Sequence, residues 1–321
     1  MHLKVARPCR PVTPTSLEFM AIATHARAIA ALHAAVVLFG FAGLFGKWVM
    51  LSPVLIVLGR TFVAALALAL FSLNRTRRIG RPDLRMIASG AVLALHWVTF
   101  FAAIQTASVA VGLLGYAAFP VFTLLLERLF LRRPLRGADA GTAALVVGGL
   151  VLVVPSWTLN SATVQGLGWG LVSAFTFALL AVLNRGAAGR RSASDIALWQ
   201  NAAAALCLLP FAGAALATAA PGPRDVILLI VLGVVCTAVA HTLFIASLRD
   251  VTAHVASVVA ALEPVYGIAL AWALLAEVPT GRMWGGAALL VTAAVVASRA
   301  PASPVLAVAA PGHVRGRVPP T

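Results

Sequence analysis

Few residues in this chain can do chemistry at depth, and they stand out because their surroundings are apolar. Glu263 precedes Pro264 inside a long apolar run, and Arg60 lies alone in another. His96 and Trp97 are adjacent in a third, and His241 sits in a fourth. An ionisable group inside such a run costs several kcal/mol, of order ~3 for an unpaired charge, unless it is paired or wetted. Each is therefore a candidate for a binding site.

Glu263 can exchange a proton or bind a cationic group; otherwise it is a structural acid bonded to a neighbouring helix. Pro264 removes an amide donor and leaves a carbonyl near residue 260 without its helical partner. Arg60 either snorkels outward, pairs with a carboxylate, or holds a substrate carboxylate. His96 and His241 either carry protons near neutral pH or are satisfied interhelical groups. Tyr116 and Tyr266 are further cavity-lining candidates, with Trp272, Gln200 and Asn201 weaker ones. Tyr and Trp also serve as anchors at a membrane surface. Pro120 and Pro264 are helix-kink candidates.

The elements that position these residues follow from composition. Hydrophobic residues make up 61% of the 321 positions and charged residues 10%. Soluble domains carry about a quarter charged residues, so the solvent for this surface is a bilayer. Ten apolar runs are predicted as transmembrane helices: 29–47, 53–73, 85–106, 108–131, 138–157, 166–184, 196–217, 226–247, 252–275 and 283–299. Each is long enough to cross about 30 Å of hydrocarbon at about 1.5 Å per residue. Helices are the form expected, because lipid offers no partner to an open backbone amide. The stretch 85–131 must fold back once, and Gln105 to Ser108 is the expected hairpin.

The formal net charge is +15. With a cytoplasmic N-terminus and ten crossings, 20 of the 24 Lys and Arg fall on the cytoplasmic side and 3 outside, leaving Arg60 in a span. That bias is topological and speaks against a nucleic-acid partner. Cys9, Cys207 and Cys236 have neither metal-site nor disulfide spacing. Residues 1–27 lack an apolar core and read as a cytoplasmic segment, in which 1–19 is a candidate upstream extension before Met20. Residues 300–321 read as a disordered cytoplasmic tail.

A shift of 144 residues aligns 94–151 with 238–295, with 16 identities over 58 positions. Phe100 meets Phe244, Pro120 meets Pro264, Gly137 meets Gly281, and Gly141 meets Gly285. The two halves, 28–157 and 158–299, each hold five expected crossings. An odd number inverts the second half relative to the first, which is the recurring plan of secondary transporters.

Phe39-Gly40-Phe41, Leu51-Ser52-Pro53, Ala117 to Pro120, Leu262 to Val265, Leu274 to Glu277 and Gly285-Gly286 carry a resemblance. In order and spacing they resemble the EamA-type members of the drug/metabolite transporter superfamily. Where that family usually has Gly-Glu after the fourth helix, this chain has Arg132-Arg133. The resemblance implies ten helices, cytoplasmic termini and transport of small metabolites, often export.

The expected protein is thus all-α and integral to the inner membrane of a bacterial-type cell. It takes a small-molecule substrate by alternating access, with an exporter of amino-acid-like compounds as the leading reading. A proton is the candidate coupling ion. No cofactor, metal or catalytic residue is indicated, and no nucleotide-binding loop occurs in the sequence. A lipid-modifying enzyme or a channel are the alternatives.

Overall fold

The computed structural model describes residues 16–74, 80–131, 137–154, 158, 161–185, 191–247, 259–260 and 262–299. The described residues form helices and no strands. In order these are α1 (Ser16–Trp48), α2 (Pro53–Asn74), α3 (Leu84–Thr106), α4 (Val109–Tyr116), α5 (Phe119–Leu131) and α6 (Gly137–Val153). They continue with α7 (Ala162–Arg185), α8 (Ala193–Thr218), α9 (Pro223–Gly233), a π-helical turn (Val234–Val239), α10 (Ala240–Ser247), α11 (Glu263–Leu275) and α12 (Gly281–Arg299).

Most helices are apolar all round, so propensity and lipid select helix while the starts are set by caps. Asp83 accepts the Met86 amide at 2.9 Å and opens α3. Ser108 accepts the Val111 amide at 3.2 Å and opens α4. Ser192 accepts the Asp195 amide at 3.1 Å and opens α8. The hairpin expected at Gln105 to Ser108 is the α3–α4 connection.

Seven segments among the described residues are long and apolar enough to cross a membrane. They are Ala26–Trp48, Pro53–Leu73, Leu84–Thr106, Val109–Phe130, Ala162–Asn184, Ala193–Thr218 and Pro223–Ser247. Gly137–Val153 and Glu263–Leu275 are shorter apolar helices. The expected span 252–275 lies partly outside the described residues, as does the tail 300–321. Helix α1 starts at Ser16, well before the expected boundary at 28.

The two prolines offered as kink candidates both stand at helix starts. The segment 109–131 breaks at Ala117–Ala118, and Phe119-Pro120 opens α5. Glu263-Pro264 likewise opens α11. A proline is tolerated in a first turn, where its missing donor is one the helix does not use.

Packing pairs α3 with α7 and α8, α2 with α8 and α9, α4 and α5 with α7, α1 with α10 and α11, and α6 with α12. Glycines permit the closest crossings. A Cβ on Gly40 of α1 would lie 2.9 Å from the Gly267 nitrogen of α11. A Cβ on Gly170 of α7 would lie 3.0 Å from the Gly115 Cα of α4. Small residues at such contacts let backbones approach where no hydrophobic gain separates helix from lipid.

Candidate functional site

A cavity of about 250 Å³ lies among α1, α2, α3, α4, α5, α7, α8, α10 and the start of α11. Its wall brings together Arg60, His96, Trp97, Tyr116, His241 and Glu263. These six come from five helices: α2, α3, α4, α10 and the start of α11, with His96 and Trp97 neighbours on α3. Tyr266 lies elsewhere: its hydroxyl pairs with His33 Nδ1 at 3.2 Å. Trp272 is exposed.

Arg60 stands seven residues into α2 and is 1% exposed. Its guanidinium carbon lies 3.9 Å from the Trp97 ring centroid. Its Nε donates to Thr237 Oγ1 at 3.0 Å. Thr237 in turn donates to the Leu232 carbonyl at 2.8 Å. Thr237 belongs to the π-helical turn, where widening of the backbone frees groups from the regular ladder. Gly233 makes this crossing possible, since a Cβ there would lie 2.9 Å from the Arg60 carbonyl oxygen. The arginine is therefore not snorkelling outward; it is fixed at the cavity wall by a ring face and a hydroxyl.

Glu263 is buried at the first turn of α11. Its carboxylate faces the Tyr116 hydroxyl on the cavity wall. Tyr116 stacks on Phe119 with centroids 5.5 Å apart and meets Phe177 edge-on at 5.2 Å. Phe100 meets Tyr116 edge-on at 5.8 Å. The acid thus stands at the mouth of an aromatic pocket drawn from α3, α4, α5 and α7.

His96 Nδ1 lies 3.0 Å from the Ser173 carbonyl oxygen and 2.9 Å from Ser173 Oγ, both on α7. That fixes its ring against α7. His241 is buried with no hydrogen-bond partner on Nδ1. Its ring meets Trp97 edge-on at 6.2 Å. Trp97 and His241, which the repeat shift matches, therefore touch across the cavity.

Sequence reading passed over Thr237, Ser173, Phe119 and Phe177. The repeat shift carried a signal for one of them, because Phe119 is the counterpart of Glu263. Both residues open a helix, both precede a proline and both line the cavity. A lone Thr or Ser in an apolar run gives no such signal.

A second polar cluster adjoins the cavity at Asn184. Gln200 Nε2 donates to Ser89 Oγ at 3.0 Å and to Asn184 Oδ1. Among the described residues, no group of three or more His, Cys, Asp or Glu is placed to hold a metal ion.

The family profile of the EamA-like transporters matches residues 26–154 and again 164–299. The chain belongs to the EamA-like transporter family. That family lies within the drug/metabolite transporter superfamily. A protein of Archaeoglobus fulgidus described as an uncharacterized transporter is 27% identical over 240 residues, which cover 75% of this chain and 84% of that one. A crystal structure of a protein has the same fold, with a TM-score of 0.64 at 20% identity over 85% of this chain and 97% of that one. The apolar helices and the family together make this EamA-like protein a multi-pass membrane protein.

Proposed function

We propose that this EamA-like protein is a ten-helix secondary transporter that exports amino-acid-like metabolites by alternating access between two inverted halves, 28–157 and 158–299. In this reading α4 with α5, and α9 with the π turn and α10, each form one crossing. Both termini are cytoplasmic, and the membrane is the inner membrane of a bacterial-type cell.

The helix packing supports the inverted plan. Exchanging the halves carries the α3–α7 contact onto α10–α1, and the α5–α7 contact onto α11–α1. It carries α3–α8 onto α9–α2, while α2–α8 and α6–α12 exchange into themselves. The arginine distribution supports the orientation.

The observation that carries the substrate reading is the placement of Arg60 and Glu263 on one aromatic cavity. Arg60 is held by Thr237, Glu263 faces Tyr116, and the two present opposite formal charge to the same space. A zwitterion complements both: its carboxylate meets the guanidinium and its ammonium meets the acid. The rings of Phe100, Tyr116, Phe119 and Phe177 accommodate an apolar or aromatic side chain. A cavity of about 250 Å³ suits a molecule of that size.

A proton is the proposed coupling ion, carried by Glu263. Reconstituted protein loaded with labelled amino acids should show saturable flux that rises with an imposed pH gradient. Flux equal with and without the gradient removes the proton. Flux of labelled amino acids no greater than in empty liposomes removes the substrate class.

A further inference from the structure

One end of the bundle is tied by bonds between helix ends. Val109 donates its amide to Glu277 Oε2 at 3.1 Å, which joins the first turn of α4 to the segment just after α11. Met50 donates its amide to Asp225 Oδ1 at 3.1 Å. Lys47 Nζ donates to the Ala107 carbonyl at 3.0 Å, and Gln105 Nε2 to the Leu51 carbonyl at 2.9 Å. None of these residues lines the cavity, whose wall reaches instead to Thr123, Asn184 and Ile196 near the opposite helix ends.

The two cross-half bonds differ in kind. The Met50–Asp225 bond has a counterpart at the other end of the bundle. There Arg191 Nη2 lies 3.6 Å from Asp83 Oδ2, and Arg191 Nη1 donates to the Arg81 carbonyl at 2.6 Å. Asp83 and Asp225 each stand at the start of a helix and receive the loop of the other half. A contact present at both ends does not distinguish them, so it belongs to the frame that both access states share.

Glu277 is different. The repeat shift of 144 residues places Arg133 at the matching position. A guanidinium has donors only and cannot accept a backbone amide. Among the described residues the carboxylate bond to the α4 start is therefore found at one face. Beneath it, α4 and α11 close on α1: a Cβ on Gly267 would run into Leu113 Cδ1, and Gly40 abuts Gly267. The backbone aims Glu277 at α4 through a left-handed residue, Ala276, at φ 55° and ψ 23°.

We infer that Glu277 and the Val109 amide form the latch of the closed face, biasing the protein toward the state whose cavity opens at the opposite, arginine-rich face. This rests on the carrier reading, but its test needs no substrate. Releasing the latch lets α11 part from α4 and exposes Leu113, which is buried where the two helices meet.

The test places a single cysteine at Leu113 (Leu113→Cys) in a chain whose Cys9, Cys207 and Cys236 are alanine. Sealed vesicles of both orientations are treated with a membrane-impermeant maleimide. Glu277→Gln weakens the acceptor. Val109→Pro removes the donor and leaves α4 intact, because position 109 is the first helical residue and Ser108 already has φ −145° and ψ 167°. Each variant should raise the labelling rate about tenfold or more, as loss of a charge-assisted bond implies, and only from the Glu277 face. The double variant should label no faster than either single one. Unchanged labelling in both single variants overturns the latch, and so does a double variant whose effect is the product of the two. Failure here leaves amino-acid flux intact, whereas failure of the carrier reading abolishes flux and leaves the labelling pattern.

Discussion

Arg60 lies over the face of Trp97, with 3.9 Å from its guanidinium carbon to the ring centroid. The two residues come from α2 and α3 and meet at the cavity wall. A desolvated stack of this kind contributes about 2 kcal/mol. It also orients the guanidinium plane, which a lysine ammonium cannot reproduce. Arg60→Lys should therefore weaken amino-acid binding by about tenfold or more while keeping the charge. Trp97→Ala should approach the same loss and Trp97→Phe should be milder, as isothermal titration of the detergent-solubilised protein will read.

Thr237 holds the arginine from the other side. Thr237→Val keeps the shape but removes the acceptor for Arg60 Nε. A buried donor left without its partner costs about 1–3 kcal/mol. The thermal unfolding midpoint of Thr237→Val should fall, and that of Thr237→Ser should stay within experimental spread of the parent. Equal midpoints for all three contradict the role given to Thr237.

Ala276 is the one non-glycine residue at positive φ among the described residues. It ends α11 in the left-handed conformation that usually selects glycine. The Cβ costs about 1 kcal/mol there. Ala276→Gly should raise the unfolding midpoint slightly, by the equivalent of about 0.5–1 kcal/mol. A lower midpoint would show that the turn is not strained.

Gly40 and Gly213 provide a contrast between two helix glycines. A Cβ at Gly40 meets the Gly267 nitrogen at 2.9 Å and the Glu263 carbonyl oxygen at 3.1 Å, both backbone atoms. Gly213 has nothing within 4 Å. Gly40→Ala should force α1 from α11 and cost about 1–3 kcal/mol. Gly213→Ala should be neutral or slightly stabilising. Thermal unfolding of both variants decides it.

Sequence showed the apolar segments well because lipid imposes one demand on every residue of a span. Helix starts at Leu84, Val109 and Ala193 follow from Asp83, Ser108 and Ser192, whose capping chemistry is local. The Ala117–Ala118 break was not legible: the sequence reads through it, and only the adjoining chain shows that Phe119-Pro120 starts anew. The π turn at Val234–Val239 was hidden for the same reason, since its widening depends on packing against Arg60 and Val63 across the crossing at Gly233. In the site, the charged and aromatic candidates were conspicuous against an apolar background. Their holders, Thr237 for Arg60 and Ser173 for His96, were not, because a partner 177 or 77 residues away is set by tertiary packing alone. Tyr266 was conspicuous for its type, yet its partner is His33.

The central claim is that Arg60 and Glu263 together bind a zwitterion inside this cavity. The most direct measurement is uptake of labelled amino acids into proteoliposomes by the parent, Arg60→Ala and Glu263→Gln. The account predicts saturable uptake by the parent and loss in both variants, with all three proteins reconstituted to the same level. Saturable uptake that survives unchanged in both variants would contradict it.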